Sequence, residues 1–438
     1  MTSQRAEDSL TGSPSPPPLP PPPPTPPRSS RRIMFRMPAF DDAEDVYRYR
    51  PGGHHPVNLG DVIERRFKII HKLGNGGFAL VWLARDLDQD RYVALKILKS
   101  DASTQGTEEV KMLEYLKNTA GKDRITNLHE TFTIRGPNGF HQCLVLEFGG
   151  PSLQRLTFYC KRPPLPFLKA AARSLAEGVA ALHEAGVCHG GQYSPRMTTE
   201  LTPTYLNLDL TYSNVLFEIA DFQNWTEDEV YRYLGPPKTD PLLQLDGTPA
   251  PAFAPAHVVD ALDYSHLNME YLSSSILITD FGEAFFKDNA PKGLGAPATF
   301  SAPELLFGYQ PSCAVDLWAL GCLIFQIHTL RVLIPTVFGS YEESVALAIE
   351  TIGALPEPWR ESFYDKEKPL VDIPGRKHRW FDNRLERTRS LGSQVLKELP
   401  EISQDQHNTL VQLLEGILVF EPSHRLSAAE IVVNPWFV

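Results

Sequence analysis

The stretch that most restricts this chain runs from Val57 to Leu98, VNLGDVIERRFKIIHKLGNGGFALVWLARDLDQDRYVALKIL, where short apolar runs are separated by glycine and by an Asp-Gln-Asp turn. Alternation of this kind predicts a meander of strands. Within it, Gly74-Asn75-Gly76-Gly77-Phe78-Ala79, followed by Val81, joins two strands through a turn whose backbone N–H groups can approach phosphates. The position of a third expected glycine is Ala79, and glycine-rich hairpins often bind nothing. What gives the turn weight is Val93-Ala94-Leu95-Lys96 one strand later, because an apolar strand ending in lysine sets a cation against the phosphates.

A lysine beneath such a turn needs a carboxylate to hold it, and the following TEEVKMLEYLKN segment offers Glu108, Glu109 and Glu114. Val110, Leu113 and Leu116 share one helical face. Glu109 precedes that Val-x-x-Leu face and is the expected inward partner, while Glu108 and Glu114 belong to the solvated side. Downstream, Asp280 follows the apolar strand Ile276-Leu277-Ile278, and a carboxylate at a strand end can hold Mg²⁺ against phosphate oxygens. Ala302-Pro303-Glu304, then Asp316 to Gly321, and finally Arg425, available to pair with Glu304, read as structural. LPFLKAAARSLAEGVAALHEAGV has strong helical spacing, and the apolar run Leu317–Leu330, flanked by Asp316 and Arg331, is too short for a membrane span and reads as a buried helix. A sheet-rich first part followed by a larger helical part predicts an α+β chain of two lobes with a cleft between them.

With 438 residues, 42% of them hydrophobic, the chain can build a sizeable core. Its net charge of −11 argues against nucleic acid as a direct partner and leaves room for a basic protein substrate. Five scattered cysteines without a CxxC pair argue against a disulfide framework and a zinc site, and so for a reducing compartment. The N-terminus lacks an apolar signal core and no membrane segment is visible, so cytosol or nucleus is expected. Residues 14–27, PSPPPLPPPPPTPP, can only be extended polyproline helix within a disordered tail spanning 1–45. That tail reads either as a ligand for a proline-recognition domain or as a solvated extension.

In order and spacing, the set from Gly74 to Arg425 resembles the protein kinase superfamily over roughly residues 60–438. The resemblance implies a two-lobed protein-kinase fold, ATP and Mg²⁺ as cofactors, a lead-in at 46–66, an N-lobe at 67–148 and a C-lobe at 149–438. By the same resemblance LVLEFGG is the hinge, where the backbone of Glu147 could meet the adenine edge. GGHHPVNLGD and the following KLGNGGFALVWL are similar to the opening of the SR-protein kinase family, and DFGEAF resembles its fungal branch. Members of that family phosphorylate serines in Arg-Ser repeats, which makes an Arg/Ser-rich protein linked to RNA processing the expected substrate.

The catalytic loop of that superfamily has the form His-x-Asp-x-x-x-x-Asn, the aspartate orienting the substrate hydroxyl and the asparagine binding metal. Here Cys188-His189-Gly190 supplies its start, and Asp209-Leu-Thr-Tyr-Ser-Asn214 supplies the rest, with residues 191–208 in between. Removing them gives VCHGDLTYSNVLF, an uninterrupted loop. Inside the insert the one carboxylate, Glu200, has Tyr205 five positions on, so Asp209 is the expected catalytic carboxylate and Asn214 the metal ligand. Gly190 stands where an arginine would receive a phosphorylated activation segment, so activity should not require that phosphorylation. Thr211 stands where serine/threonine kinases carry a lysine that contacts the transferred phosphate.

Three readings of 191–208 follow. Eighteen mostly polar residues inside a constrained turn, with flanks that rejoin in frame, read as translated intron. A genuine insertion would uncouple His189 from Asp209 and make the chain a pseudokinase scaffold, and a regulatory loop around a site that still assembles is the third. A second insert, about 218–275, reads as a mostly irregular surface excursion, passive or docking.

Overall fold

The computed structural model describes residues 34–40, 43–103, 106–119, 121–159, 162–190, 210–291, 299–336, 340–357, 359–364 and 385–438. The proline-rich run, the insert at 191–208 and Asp209 lie outside the described residues.

The alternating stretch forms β1 (Val62–Ile63), β2 (Phe67–Asn75), β3 (Ala79–Asp86) and β4 (Arg91–Leu98), completed by β5 (Leu128–Gly136) and β6 (Gly139–Glu147). They make one antiparallel sheet in the order β1-β2-β3-β4-β6-β5. Neighbouring residues Trp82 and Leu83, or Ala94 and Leu95, are all buried, so both faces of this sheet are covered. Helix α1 (Gly106–Leu116) follows β4 and buries Met112, Leu113 and Leu116 in the main core, with Val110 packed against it.

After the hinge come α2 (Leu153–Tyr159) and the long α3 (Leu165–Glu184), whose Leu168, Leu175, Val179 and Leu182 face the core. Two short strands, β7 (Val187–Cys188) and β8 (Val215–Ile219), bracket the interrupted loop. The chain then makes the excursion that contains α4 (Glu227–Leu234) and the hairpin of β9 (Thr239–Pro241) and β10 (His257–Val259), and returns as β11 (Leu272–Ile278), paired with β8. β12 (Phe285–Phe286) pairs with β7. Helices α5 (Ala314–Thr329), α6 (Tyr341–Ile352), α7 (Trp359–Tyr364), α8 (Leu391–Glu398), α9 (Gln404–Ile417) and α10 (Ala428–Val432) complete a helical C-lobe. In α5 every residue from Val315 to Thr329 is buried, which is why its sequence is apolar on all sides. Among the described residues no helix is long and apolar enough to cross a membrane.

The excursion is mostly irregular apart from α4 and the short β9–β10 hairpin, but it is docked rather than free. A capping box at Thr226 and Glu229 starts α4, and the segment lies along the N-lobe rather than in solvent. Gln223 accepts from Tyr92 N at 2.8 Å and donates to Tyr92 O at 3.1 Å. Lys68 pairs with Glu227 at 2.7 Å, Leu262 N donates to Lys72 O at 2.9 Å, and Asn138 Nδ2 donates to Phe253 O at 2.8 Å. Glu44, expected in the tail, is buried and joins the lead-in to the same assembly: Lys72, wholly buried, donates to Glu44 and to Val259 O, while Tyr49 donates its hydroxyl to Glu44. Polar and proline-rich composition had suggested a solvated loop, but these backbone groups are satisfied by the sheet instead.

Candidate active site

The antiparallel register sets Val81 opposite Lys96, which places the lysine beneath the turn between β2 and β3. Lys96 Nζ donates to both carboxylate oxygens of Glu109 at 2.8 Å and to Asp280 Oδ1 at 2.9 Å. Glu109 is buried, whereas Glu108 and Glu114 are exposed and pair with Lys111 and Lys117 on the solvent side of α1. Burial alone would lower the pKa of the Lys96 ammonium, but Asp280 and then Glu109 outweigh it and raise it. The same burial raises the Glu109 carboxyl against the pull of Lys96, while at Asp280 the ammonium prevails over burial and lowers the carboxyl. One cation is thus held charged between two carboxylates at the cleft.

The turn itself is closed by Gly76 N donating to Ala79 O at 2.9 Å. A Cβ at Gly74 would meet nothing within 4 Å, and one at Gly76 only Ala79 O at 3.7 Å. The fold therefore does not require glycine at either position, and their bareness serves close approach from outside. Asn75 ends β2, Gly77 lies at the tip, Ala79 is buried and Val81 packs against the core. At the hinge, Cβ atoms on Gly149 and Gly150 would meet Leu216 Cδ1 at 2.6 Å and Phe217 O at 2.4 Å, so here glycine is a steric requirement. The N–H of Glu147 donates to Asn127 O at 2.9 Å. Any adenine contact through Glu147 therefore falls to its carbonyl.

Asp280 follows β11 in the left-handed region, with φ of 68°. Asn214 precedes β8, the strand paired with β11, and its carbonyl accepts from Thr279 N at 3.0 Å. The two sequence-predicted metal ligands thus stand at adjoining strand ends. Their oxygens are the hard donors that suit Mg²⁺, and among the described residues no cluster of three or more His, Cys, Asp or Glu exists to complete a cage, so phosphate oxygens would fill the remaining positions.

The loop's start is fixed by Asp316, which accepts from His189 N at 2.8 Å, from Gly190 N at 3.0 Å and from His183 Nε2 at 2.9 Å. His189 Nε2 donates to Thr279 O at 3.1 Å, and its ring lies 4.9 Å from that of Phe281. Leu210 and Thr211 are both buried. Gly190 has φ of +68°, and a Cβ there would sit 2.8 Å from Phe285 Cε1 and 3.1 Å from Glu283 O. Phe285 fills the room that a side chain would need. Glu304 and Arg425 form a buried bidentate pair at 2.7 and 2.6 Å.

Two features escaped sequence reasoning. Arg48 in the lead-in donates to Gly77 O at 2.7 Å, bracing the tip of the turn. Cys188 and Cys313 form a disulfide with Cα atoms 4.9 Å apart, which corrects the expectation of unpaired thiols; their separation of 125 residues leaves no spacing signal.

Residues 267–437 match the Protein kinase domain family. The chain is 26% identical over 418 residues to a serine/threonine-protein kinase SRPK of Physarum polycephalum, covering 90% of this chain and 92% of that protein. It is 27% identical over 413 residues to a serine/threonine protein kinase of Aspergillus fumigatus, covering 92% and 90%. A 151-residue stretch is 36% identical to SRSF protein kinase 3 of Homo sapiens, covering 33% of this chain and 27% of that protein. A solved kinase-domain crystal structure superimposes with a TM-score of 0.59 at 18% identity over 88% of this chain and 99% of its own, a likeness of fold. The two lobes, the cleft and these matches define a protein-kinase fold. Within that class it is a protein serine/threonine kinase that resembles an SRPK kinase and a fungal serine/threonine kinase.

Proposed function

We propose that the chain transfers the terminal phosphoryl group of ATP to serine or threonine in Arg/Ser-rich proteins linked to RNA processing. The observation that carries the reading is the assembled Lys96, Glu109 and Asp280 cluster under a glycine turn that the fold itself does not require. In this reading residues 74–81 cover the phosphates, Lys96 anchors them and Glu109 holds Lys96. Asp280 and Asn214 would hold Mg²⁺, whose charge would offset that of the phosphates. Asp209 orients the substrate hydroxyl. The net charge of −11 and the kinship to an SRSF protein kinase support a polycationic substrate. The proline-rich tail is proposed as a ligand for a proline-recognition domain, and residence in cytoplasm or nucleus is proposed with it.

The test is phosphate transfer by the full chain to a peptide array. Arg-Ser repeats should be the preferred acceptors; preference for proline-directed or acidophilic sites would remove the substrate assignment. A second reading rests on one observation, the nineteen residues 191–209 that separate Gly190 from Leu210. Transfer absent from the full chain but present in a variant lacking 191–208 would make this form a pseudokinase. The intron reading of that segment requires a GT near its start and an AG at its end in the gene, and transcripts that omit it.

A further inference from the structure

We propose that Cys188 and Cys313 form a site of reversible oxidation, whose disulfide fastens the start of the catalytic loop to helix α5 and whose reduction loosens it. Cys188 is the last residue of β7, fully buried and adjacent to His189. Cys313 immediately precedes α5, is partly exposed, and lies three residues before Asp316. The disulfide therefore ties the same two pieces of chain that Asp316 already ties through the N–H groups of His189 and Gly190. The ring it closes contains Asn214 and Asp280. In a continuous catalytic loop the short connection would itself hold the residues after Gly190 in place. Here residues 191–209 intervene, so the start of the loop needs a fastening of its own.

The oxidant belongs to the peroxide class. The partly exposed Cys313 thiolate attacks hydrogen peroxide: an S–O bond forms, the O–O bond breaks, and hydroxide leaves to become water by taking a proton. Cys188 sulfur then attacks the sulfenic sulfur: the S–S bond forms, the S–O bond breaks, and the departing hydroxide takes the Cys188 proton. Two thiols lose two electrons and peroxide yields two waters. The free cysteines Cys143 and Cys322 are buried, and burial pushes each thiol up to about 12, so neither competes as a thiolate.

The full chain is treated with hydrogen peroxide or with a thiol reductant, alkylated, and mapped by non-reducing peptide mass spectrometry, with thermal unfolding measured on both forms. Peroxide should link the peptide bearing Cys188 to that bearing Cys313, and the thermal midpoint should be higher by about 4 °C or more in the linked form. Phosphate transfer to an Arg-Ser peptide should fall several-fold on reduction. Cys313→Ser should remove both differences and match the reduced protein. Alkylation of both cysteines after peroxide would overturn the proposal, as would a linked form whose midpoint and transfer equal those of the reduced form. The activity arm rests on the kinase reading; mapping and unfolding do not. Linkage with a midpoint shift but no transfer in either form would uphold the oxidation site and count against that reading.

Discussion

At Gly190 the ring of Phe285 occupies the place of a side chain, so the loop has no arginine to receive a phosphorylated activation segment. Phosphatase treatment of the purified chain should leave its transfer rate unchanged, and a rate that collapses would contradict this. Gly190→Arg should not create a phosphate-responsive kinase. It should destabilise the fold by about 2 kcal/mol or more, since both the left-handed φ and the Phe285 contact oppose it, as denaturant titration would report. Arg48 offers a complementary test on the cleft's roof. Losing its bond to the Gly77 carbonyl frees the turn tip, and Arg48→Ala should raise KM for ATP roughly fivefold, with a smaller effect on kcat. Equal loss in both would mean that Arg48 acts elsewhere. Glu109 was legible in the sequence because a helix face has a period and the charge preceding that face points inward. Arg48 and Phe285 were not, because each meets its partner across a long span of chain with no repeating pattern.

Among the elements, the excursion after β8 carries a lesson about composition. Its prolines and polar residues describe a loop, and its length was readable. Its docking was not, since Gln223, Phe253 and Leu262 make side-chain or backbone bonds to N-lobe residues far away in sequence. The strand meander, α1, α3 and α5 were readable because their burial repeats with the period of the element. The joint between β2, the lead-in and the excursion is the buried pair of Lys72 and Glu44. Lys72→Met should cost about 4 kcal/mol, because it strands a buried carboxylate, whereas adding Glu44→Leu should recover most of that loss. A chemical denaturation series on the two variants decides it. If the double variant is as unstable as the single one, packing rather than the uncompensated charge accounts for the cost.

Across the whole molecule, buried histidines set the response to acid. On α5, His328 Nδ1 donates to Ile324 O at 2.7 Å and its Nε2 accepts from Trp436 Nε1 at 3.1 Å, so only the neutral ring fits. Burial holds His328 at about 4 and, with Lys99 and Arg48 nearby, holds His54 at about 3, against an ordinary value of 6.5. Below pH 6.5 the unfolded chain takes up protons that the native chain refuses, so stability must fall as pH drops from about 6.5 towards 4, on the order of 3 kcal/mol for each group. Urea midpoints measured from neutral pH down to pH 4.5 should show this slope, and His328→Gln should flatten it; a level wild-type profile would refute it. The excursion has a mechanical consequence of its own. Two bodies joined by a single strap can swing about it like a door, but here the hinge at 147–150 is joined by an outgoing and a returning strand that also pass from one lobe to the other. Three separated tethers leave the lobes little freedom to rotate about any one of them, so motion at the cleft is expected at the glycine turn rather than in the jaws as a whole.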